Sequence, residues 1–421
     1  MNILNTNKLK IFNDPIYGFI NIPSSLIFDL IEHRYFQRLR RITQMGLSYL
    51  VYPGAHHTRF HHALGAMHLM QKAVKTLQNK GIEISVSEEE ALYIAILLHD
   101  IGHGPFSHTL EESIVEGVHH EQLSLYFIEE LNKDFDGKLS LAIAIFTKKY
   151  PRKFLYQLIS SQLDMDRLDY LKRDSFYSGV AEGNINSDRL IQMLYVVDDQ
   201  LVIDEKAIYS IEKFLMARRL MYWQAYLHKT SLTAELMLTK VLKRAKKLIQ
   251  NGQNFSISKS LFFFMKNSIS DKDFNLETLN QFALLDDIDI WNALKIWSNS
   301  NDFILKFLSS ALLNRNILKV EWKKCSKEEI EEIKQKTAIF YGISLDETKY
   351  LVYHGNVKNN AYNKAAEPIW ILKKDKTIED FIDQSKQLQS KSMMKIMTKH
   401  YVCYPKIVLS DWCQMDVLSS T

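Results

Sequence analysis

The sequence predicts a mainly helical protein with a smaller α+β region at its C-terminal end. Three observations lead there. Glycine (14) and proline (7) are scarce among 421 residues, so turns are few and elements long. Apolar residues recur at three- and four-residue spacing over much of the chain, the period of a helix with one buried face. After about residue 250 the texture changes: helices continue to about 335, and then short strands are separated by a polar loop rich in Asn and Lys.

In order, helices are expected at about 24–44, 62–79, 87–98, 121–132, 154–174 and 206–249. The third has a clear start: Ser87 as cap, Glu90 at the capping-box position, then the apolar run Ala91–Leu98. It must stop near Gly102-His103-Gly104-Pro105, because glycine and proline break helices. His99 and Asp100 therefore stand at the carboxyl end of a buried helix. Helices continue to about 335, and Tyr350–Tyr353 and Ile369–Leu372 read as strands. The division is a catalytic core over 1–250, a helical extension over 251–335 and a small α+β region over 336–421.

Composition narrows the class without naming a partner. A hydrophobic share of 46% and a charged share of 24% are ordinary for a soluble globular protein. A net charge of +4 is too weak to call for nucleic acid, and there is no concentrated basic run. Apolar runs fall far short of the roughly 18 residues of a membrane span. The first ten residues are polar, unlike a secretory signal. Cys325, Cys403 and Cys413 form no CxxC pair and read as free thiols in a reducing cytoplasm.

The chemical signal is a histidine cluster. Ten of the 14 histidines fall between His56 and His120, where an even spread would put about two. One histidine alone is more often a surface or satisfied core residue. A dense group mixed with carboxylates points instead to metal or proton-transfer chemistry. The His99-Asp100 pair is costly to bury unless a cation neutralises the carboxylate. Adjacent helical residues diverge by about 100°, so further ligands must come from elsewhere; His62 and Asp166 supply them. Two imidazoles and two carboxylates suit Mn, Fe, Zn or Ni, with Mg also compatible. Asp166, Tyr170 and Asp174, spaced four apart, share one helix face.

The order His62 … His99-Asp100 … Asp166 resembles the H…HD…D pattern of the HD-domain phosphohydrolases, whose fold is an HD-domain helical core. Several blocks resemble one branch, the deoxynucleoside triphosphate (dNTP) triphosphohydrolases: dGTPase-like bacterial enzymes and the catalytic core of the SAM-and-HD-domain enzyme. These blocks are Asn13–Gly18, Phe36–Arg40, Tyr52–His62, His99–His108, His120–Gln122, Asp166–Tyr170 and Ala225–Lys229. The resemblance implies hydrolysis of a dNTP to deoxynucleoside and triphosphate. It assigns the metal to His62, His99, Asp100 and Asp166. It assigns catalysis to His103, His108, His120 and Glu121, with one histidine protonating the leaving 5′-oxygen. Arg59, Arg167 and Arg218 would neutralise the phosphates. Tyr170 and Asp174 would hold the sugar 3′-hydroxyl, with Gln44 and Met45 lining the deoxyribose. Glu111 departs from the pattern, standing where some relatives carry aspartate.

Relatives in this branch are often homotetramers activated by nucleotides between subunits. Lys10, Asn13, Glu32, Gln37, Arg40, Arg315, Asn316 and Lys319 resemble residues of those sites, so a GTP or dNTP activator and a homo-oligomer, dimer or tetramer, are implied. The bland alternative places Arg315 and Lys319 as a basic pair on an exposed helix. Two other functions stand beside the main one. One is another HD reaction, such as phosphodiester cleavage in a nucleic acid or cyclic nucleotide, or alarmone hydrolysis. The GYP-type signature common in cyclic-dinucleotide enzymes is absent. The other is a nucleotide-sensing binding protein with a degenerate site, against which the intact His62, His99, Asp100 and Asp166 argue.

Overall fold

The computed structural model describes residues 10–107, 115, 117–359, 362, 367–385 and 397–406. His108, Glu111 and Cys413 lie outside the described residues.

The chain opens with a hairpin, β1 (Ile11–Asp14) and β2 (Gly18–Asn21), paired antiparallel. Then come α1 (Ser25–Glu32), α2 (Arg59–Asn79), α3 (Val86–Leu98), α4 (His120–Asp134), α5 (Ser140–Phe146), α6 (Lys153–Ile159) and α7 (Met165–Ser178). A second hairpin follows, β3 (Leu194–Val197) and β4 (Gln200–Asp204), before α8 (Ile208–Met221) and α9 (Lys229–Gln250). The long helices α2 and α3 form the centre of the core. Every residue of α3 from Ala91 to Leu98 is buried.

Several expected helices are shorter than their periodicity implies. The stretch at 24–44 stops at Glu32 and resumes as short turns over Arg34–Gln37 and Arg38–Arg41. Arg38 is fully buried there and donates to the carbonyls of Ile101 (2.7 Å) and Leu285 (3.2 Å). The stretch at 154–174 breaks between α6 and α7, where Asp164 caps α7 by accepting from Arg167 N at 2.7 Å. The stretch at 206–249 is divided by a π-helical turn, Tyr222–Tyr226, a feature common at functional sites.

The start of α3 also differs from expectation. Ser85, not Ser87, is the cap: its hydroxyl accepts from Glu88 N, and Glu88 accepts from Ser85 N at 2.9 Å. The box lies two positions before the expected one, because serine and glutamate repeat at this spacing there.

Beyond α9, helices run over Lys259–Lys266, Leu276–Ala283, Asp287–Trp297, Phe303–Leu313 and Lys327–Tyr341. A strand, Lys319–Glu321, interrupts them and pairs with Met397–Tyr404, which pairs in turn with Tyr353–Asn359. Tyr350 closes a 3₁₀ turn, so only Tyr353 of the expected Tyr350–Tyr353 strand is extended. The strand at Trp370–Leu372 lies parallel to β4, with Ile203 opposite Ile371, and antiparallel to Ile378–Asp380. The C-terminal segment thus adds strands to a hairpin of the helical core. No helix of the described residues is long and apolar enough to cross a membrane.

Candidate metal centre and nucleotide cavity

The close of α3 brings the first pair to the site. His99 caps the helix, and its Nδ1 lies 2.6 Å from the Ile96 carbonyl, which points Nε2 outward. The following turn packs against the start of α4 so tightly that only glycine fits. A Cβ on Gly102 would stand 2.2 Å from Ser124 N and 2.4 Å from His120 O. That contact sets His103 and His120 face to face, with ring centroids 4.0 Å apart and planes 17° from parallel.

His62 comes from the first turns of α2 and is fully buried. Its Nε2 lies 3.1 Å from Asp166 Oδ1, and His99 Nε2 lies 3.5 Å from the same oxygen. Asp100 faces His99 and His103 at 3.4 Å through Oδ1 and His62 at 3.6 Å through Oδ2. Atoms sharing a first-row ion at about 2.1 Å stand roughly 3.0–3.5 Å from one another, so these separations fit a divalent cation. Two further observations agree. Nε2 of both His62 and His99 is buried without a hydrogen-bond partner. Burial works against the His62 imidazolium, yet Asp166 and Asp169 outweigh it and raise its pKa to about 10. The acids around this ring make an anionic pocket that recruits a proton where a cation fits. His62, His99 and Asp166 form one group of ligand atoms able to hold an ion; Asp100 groups more closely with His103 and His120.

In front of the cluster lies a cavity of about 700 Å³, within the range of small-molecule sites. His99, Asp100, Asp166, His103, His120 and Glu121 line it at the cluster, and Gln44, Met45, Arg59, Arg167, Tyr170, Asp174 and Arg218 also line it. Arg59 is buried and paired with Asp100, and its Nε donates to Ser107 at 2.8 Å. Arg167 is paired with Asp164. Nε of both Arg167 and Arg218 is buried and unpartnered, as is Gln44 Oε1. Asp174 already accepts from Tyr226 at 2.7 Å and lies 2.6 Å from His57 Nε2. His103 is held well below the usual histidine range by burial and then by the Arg59 charge.

Sequence reasoning missed several residues of this cavity. Tyr222 and Tyr226 reach it through the π-helical turn; the broken helical register there gives no periodic signal. Lys148 enters from a turn after α5 with positive φ. Glu235, on α9, lines the cavity and has its pKa raised to about 8 by burial. It looked like any polar residue of an amphipathic helix.

The residues expected to bind a regulator fall in two surface regions. Lys10, Asn13, Glu32 and Arg40 are exposed. Lys10 Nζ stands 3.0 Å over the Phe28 ring, and Arg40 stacks on Phe60 and donates to Gln37 at 2.8 Å. The exposed-helix alternative for Arg315 and Lys319 does not hold. The helix ends at Leu313, Arg315 turns back with positive φ to donate to the Leu50 carbonyl, and Lys319 lies in a strand, 2.8 Å from Glu321. Asn316 is exposed between them.

A helical core that gathers His, His-Asp and Asp from three separate helix ends around one cation-sized gap defines the class. Comparison with known proteins agrees. The HD domain model matches residues 59–174, and the HD associated region matches residues 185–259. An uncharacterised Bacillus subtilis protein, YwfO, is 34% identical over 96% of this chain and 93% of its own. The crystal structure of a phosphohydrolase from Bacteroides thetaiotaomicron superposes with a TM-score of 0.91 at 52% identity, over 94% of this chain and all of that one. A Dictyostelium discoideum protein named as a deoxynucleoside triphosphate triphosphohydrolase SAMHD1 homolog is 31% identical over 57% of this chain, which spans about half of that relative's length. The chain belongs to the HD-domain phosphohydrolase superfamily.

Proposed function

We propose that the protein is a metal-dependent dNTP triphosphohydrolase, converting dNTP and water to deoxynucleoside and triphosphate. The observation that carries this is the pairing of a cation-sized His/Asp cluster with a cavity whose wall presents buried, unpartnered Arg167 and Arg218 nitrogens. A triphosphate carries about four negative charges and needs such donors. The similarity to proteins named as dNTP triphosphohydrolases supports the same substrate.

His62, His99, Asp100 and Asp166 would hold the divalent ion: Mn, Mg, Fe, Zn or Ni. When bound, the ion supplies Lewis-acid charge at the α-phosphate and lowers the pKa of an attacking water. The chain's own residues do the rest. Arg59, braced between Asp100 and Ser107, sits beside the cluster to meet a phosphoryl oxygen. Arg167, Arg218 and Lys148 bind the outer phosphates. The stacked His103–His120 pair and Glu121 line the cavity beside the cluster and would face the α-phosphate, to deliver a proton to the 5′-oxygen as the phosphorus–oxygen bond breaks; the same role for His108 rests on the family resemblance alone. Tyr170, Asp174 and Gln44 face the sugar, and Met45 packs against it. Asp174 keeps acceptor capacity for one hydroxyl beyond His57 and Tyr226.

The regulatory residues are proposed to bind GTP or a dNTP and to favour an oligomer, a shift that requires higher nucleotide affinity in the assembled state. Mass photometry with and without each nucleotide tests this; unchanged mass and unchanged rate contradict it. The catalytic proposal is tested by incubating the protein with each dNTP, singly and mixed, with Mn or Mg. Deoxynucleoside plus intact triphosphate is expected, and is lost in Asp166→Ala. Monophosphate plus pyrophosphate contradicts it.

A further inference from the structure

His62 is held from behind by groups that no part of the proposed reaction uses. Its Nδ1 lies 2.8 Å from Asp169 Oδ2. Asp169 in turn takes two bonds from Arg173, Nε at 2.9 Å and Nη2 at 3.0 Å. The remaining arm, Arg173 Nη1, reaches Asp14 Oδ2 at 2.7 Å. Asp169 and Arg173 are completely buried, and Asp14 nearly so. None of the three lines the cavity, so the series approaches His62 from the side away from substrate.

Both ends are anchored. Asp14 closes β1, and its other oxygen accepts from Ile16 N at 2.9 Å and Tyr17 N at 3.0 Å, fixing the turn of the first hairpin. In the middle, α2 leaves room for the series only because residue 65 is glycine. A Cβ there would stand 2.1 Å from Asp169 Oδ1 and 2.2 Å from Arg173 Nη2. The guanidinium is planar and its donors have fixed directions. Bidentate contact on one side and a single contact on the other therefore set the position of Asp169 relative to the hairpin. The orientation of a ligating imidazole is set by the partner of its other nitrogen.

We propose that Asp14 is a positioning residue for the metal ligand His62, acting through Arg173 and Asp169, so that the seating of the N-terminal hairpin sets how tightly the site holds its divalent ion. The inference rests on His62 being a metal ligand. It adds a hairpin about 50 residues upstream to the determinants of metal affinity, and it makes a structural role alone insufficient.

The test is Mn²⁺ binding to the chelator-stripped full chain by calorimetry, beside the thermal midpoint of the same apo sample. Asp14→Asn is the first variant, because the amide oxygen still accepts from the turn while the charged bond to Arg173 is lost. Asp14→Glu is the second, should the asparagine variant fold poorly. Glu88→Gln is the control: it weakens a pair between buried Glu88 and partly exposed Arg152 (2.9 Å) at the far end of α3. The expected result is Mn²⁺ binding weakened about 10–100-fold by Asp14→Asn, with turnover recovered at high Mn²⁺. The control should lower the midpoint and leave Mn²⁺ affinity alone. A folded Asp14 variant with wild-type affinity overturns the proposal, as does an equal loss in the control. Failure of the wild type to bind Mn²⁺, or wild-type binding by Asp166→Ala, overturns the metal reading and the proposal with it.

Discussion

Asp166 and Asp169 lie three residues apart on α7, and both carboxylates contact His62, yet they face different worlds. Asp166 looks into the cavity with its side chain one-quarter exposed; Asp169 is sealed behind the imidazole with no exposure. Asp166 meets two imidazole Nε2 atoms that lack hydrogen bonds, whereas Asp169 has formed bonds to both His62 and Arg173. Burial alone would raise the Asp169 pKa; Arg173 and His62 outweigh it and lower the pKa to about 2. The front of His62 is built to receive something, and the back is built to stay fixed.

That contrast can be broken by substitution. Asp166→Ala should remove turnover by three orders of magnitude or more, about 4 kcal/mol of barrier, with little loss of apo stability. A large fall in midpoint would show that Asp166 is structural like its neighbour. Asp169→Ala should do the opposite first. It strands Arg173 in the core and should cost about 3–5 kcal/mol of stability in urea unfolding. A urea midpoint equal to that of wild type would refute the division.

A milder front-side change is Arg218→Ala. Loss of one charge-assisted phosphate contact, about 1.5–3 kcal/mol, should raise KM roughly 10–100-fold without changing apo stability or Mn²⁺ binding. An unaltered KM would remove Arg218 from the phosphate site. The last change, at Glu235, is read through pH. Its folded pKa of about 8 exceeds the roughly 4.3 of an unfolded glutamate. Between those values the folded state holds more protons, so its contribution to stability is full at low pH and falls as pH rises to about 8. Glu235→Gln should therefore gain a few degrees of thermal midpoint at pH 8.5 relative to pH 5. Equal shifts at both values would mean that the carboxyl is not the titrating group.

The front of the site was more legible in the sequence than the back, for a physical reason. His62, His99, Asp100 and Asp166 stand out because unlike polar residues at such positions are hard to explain without a ligand. Asp169 and Arg173, by contrast, form an i,i+4 acid–base pair of the kind found on any solvated helix, and nothing local says that glycine at 65 makes room to bury them. Asp14 was visible only as one letter of the Asn13–Gly18 block. The fold shows the same limit. The helical class followed from periodicity, while the break at Arg38 depends on carbonyls distant in sequence and the one at Asp164 on a local cap that periodicity does not register. The first hairpin was missed because two four-residue strands leave too little alternation to register.

The most direct test of the central claim is where water's oxygen goes. Hydrolysis of a dNTP with Mn²⁺ in ¹⁸O-water, followed by mass spectrometry, should place one ¹⁸O in intact triphosphate and none in the deoxynucleoside, because attack is at the α-phosphorus and the 5′-oxygen leaves. Label in the deoxynucleoside, or in inorganic phosphate or pyrophosphate released in place of triphosphate, would contradict it.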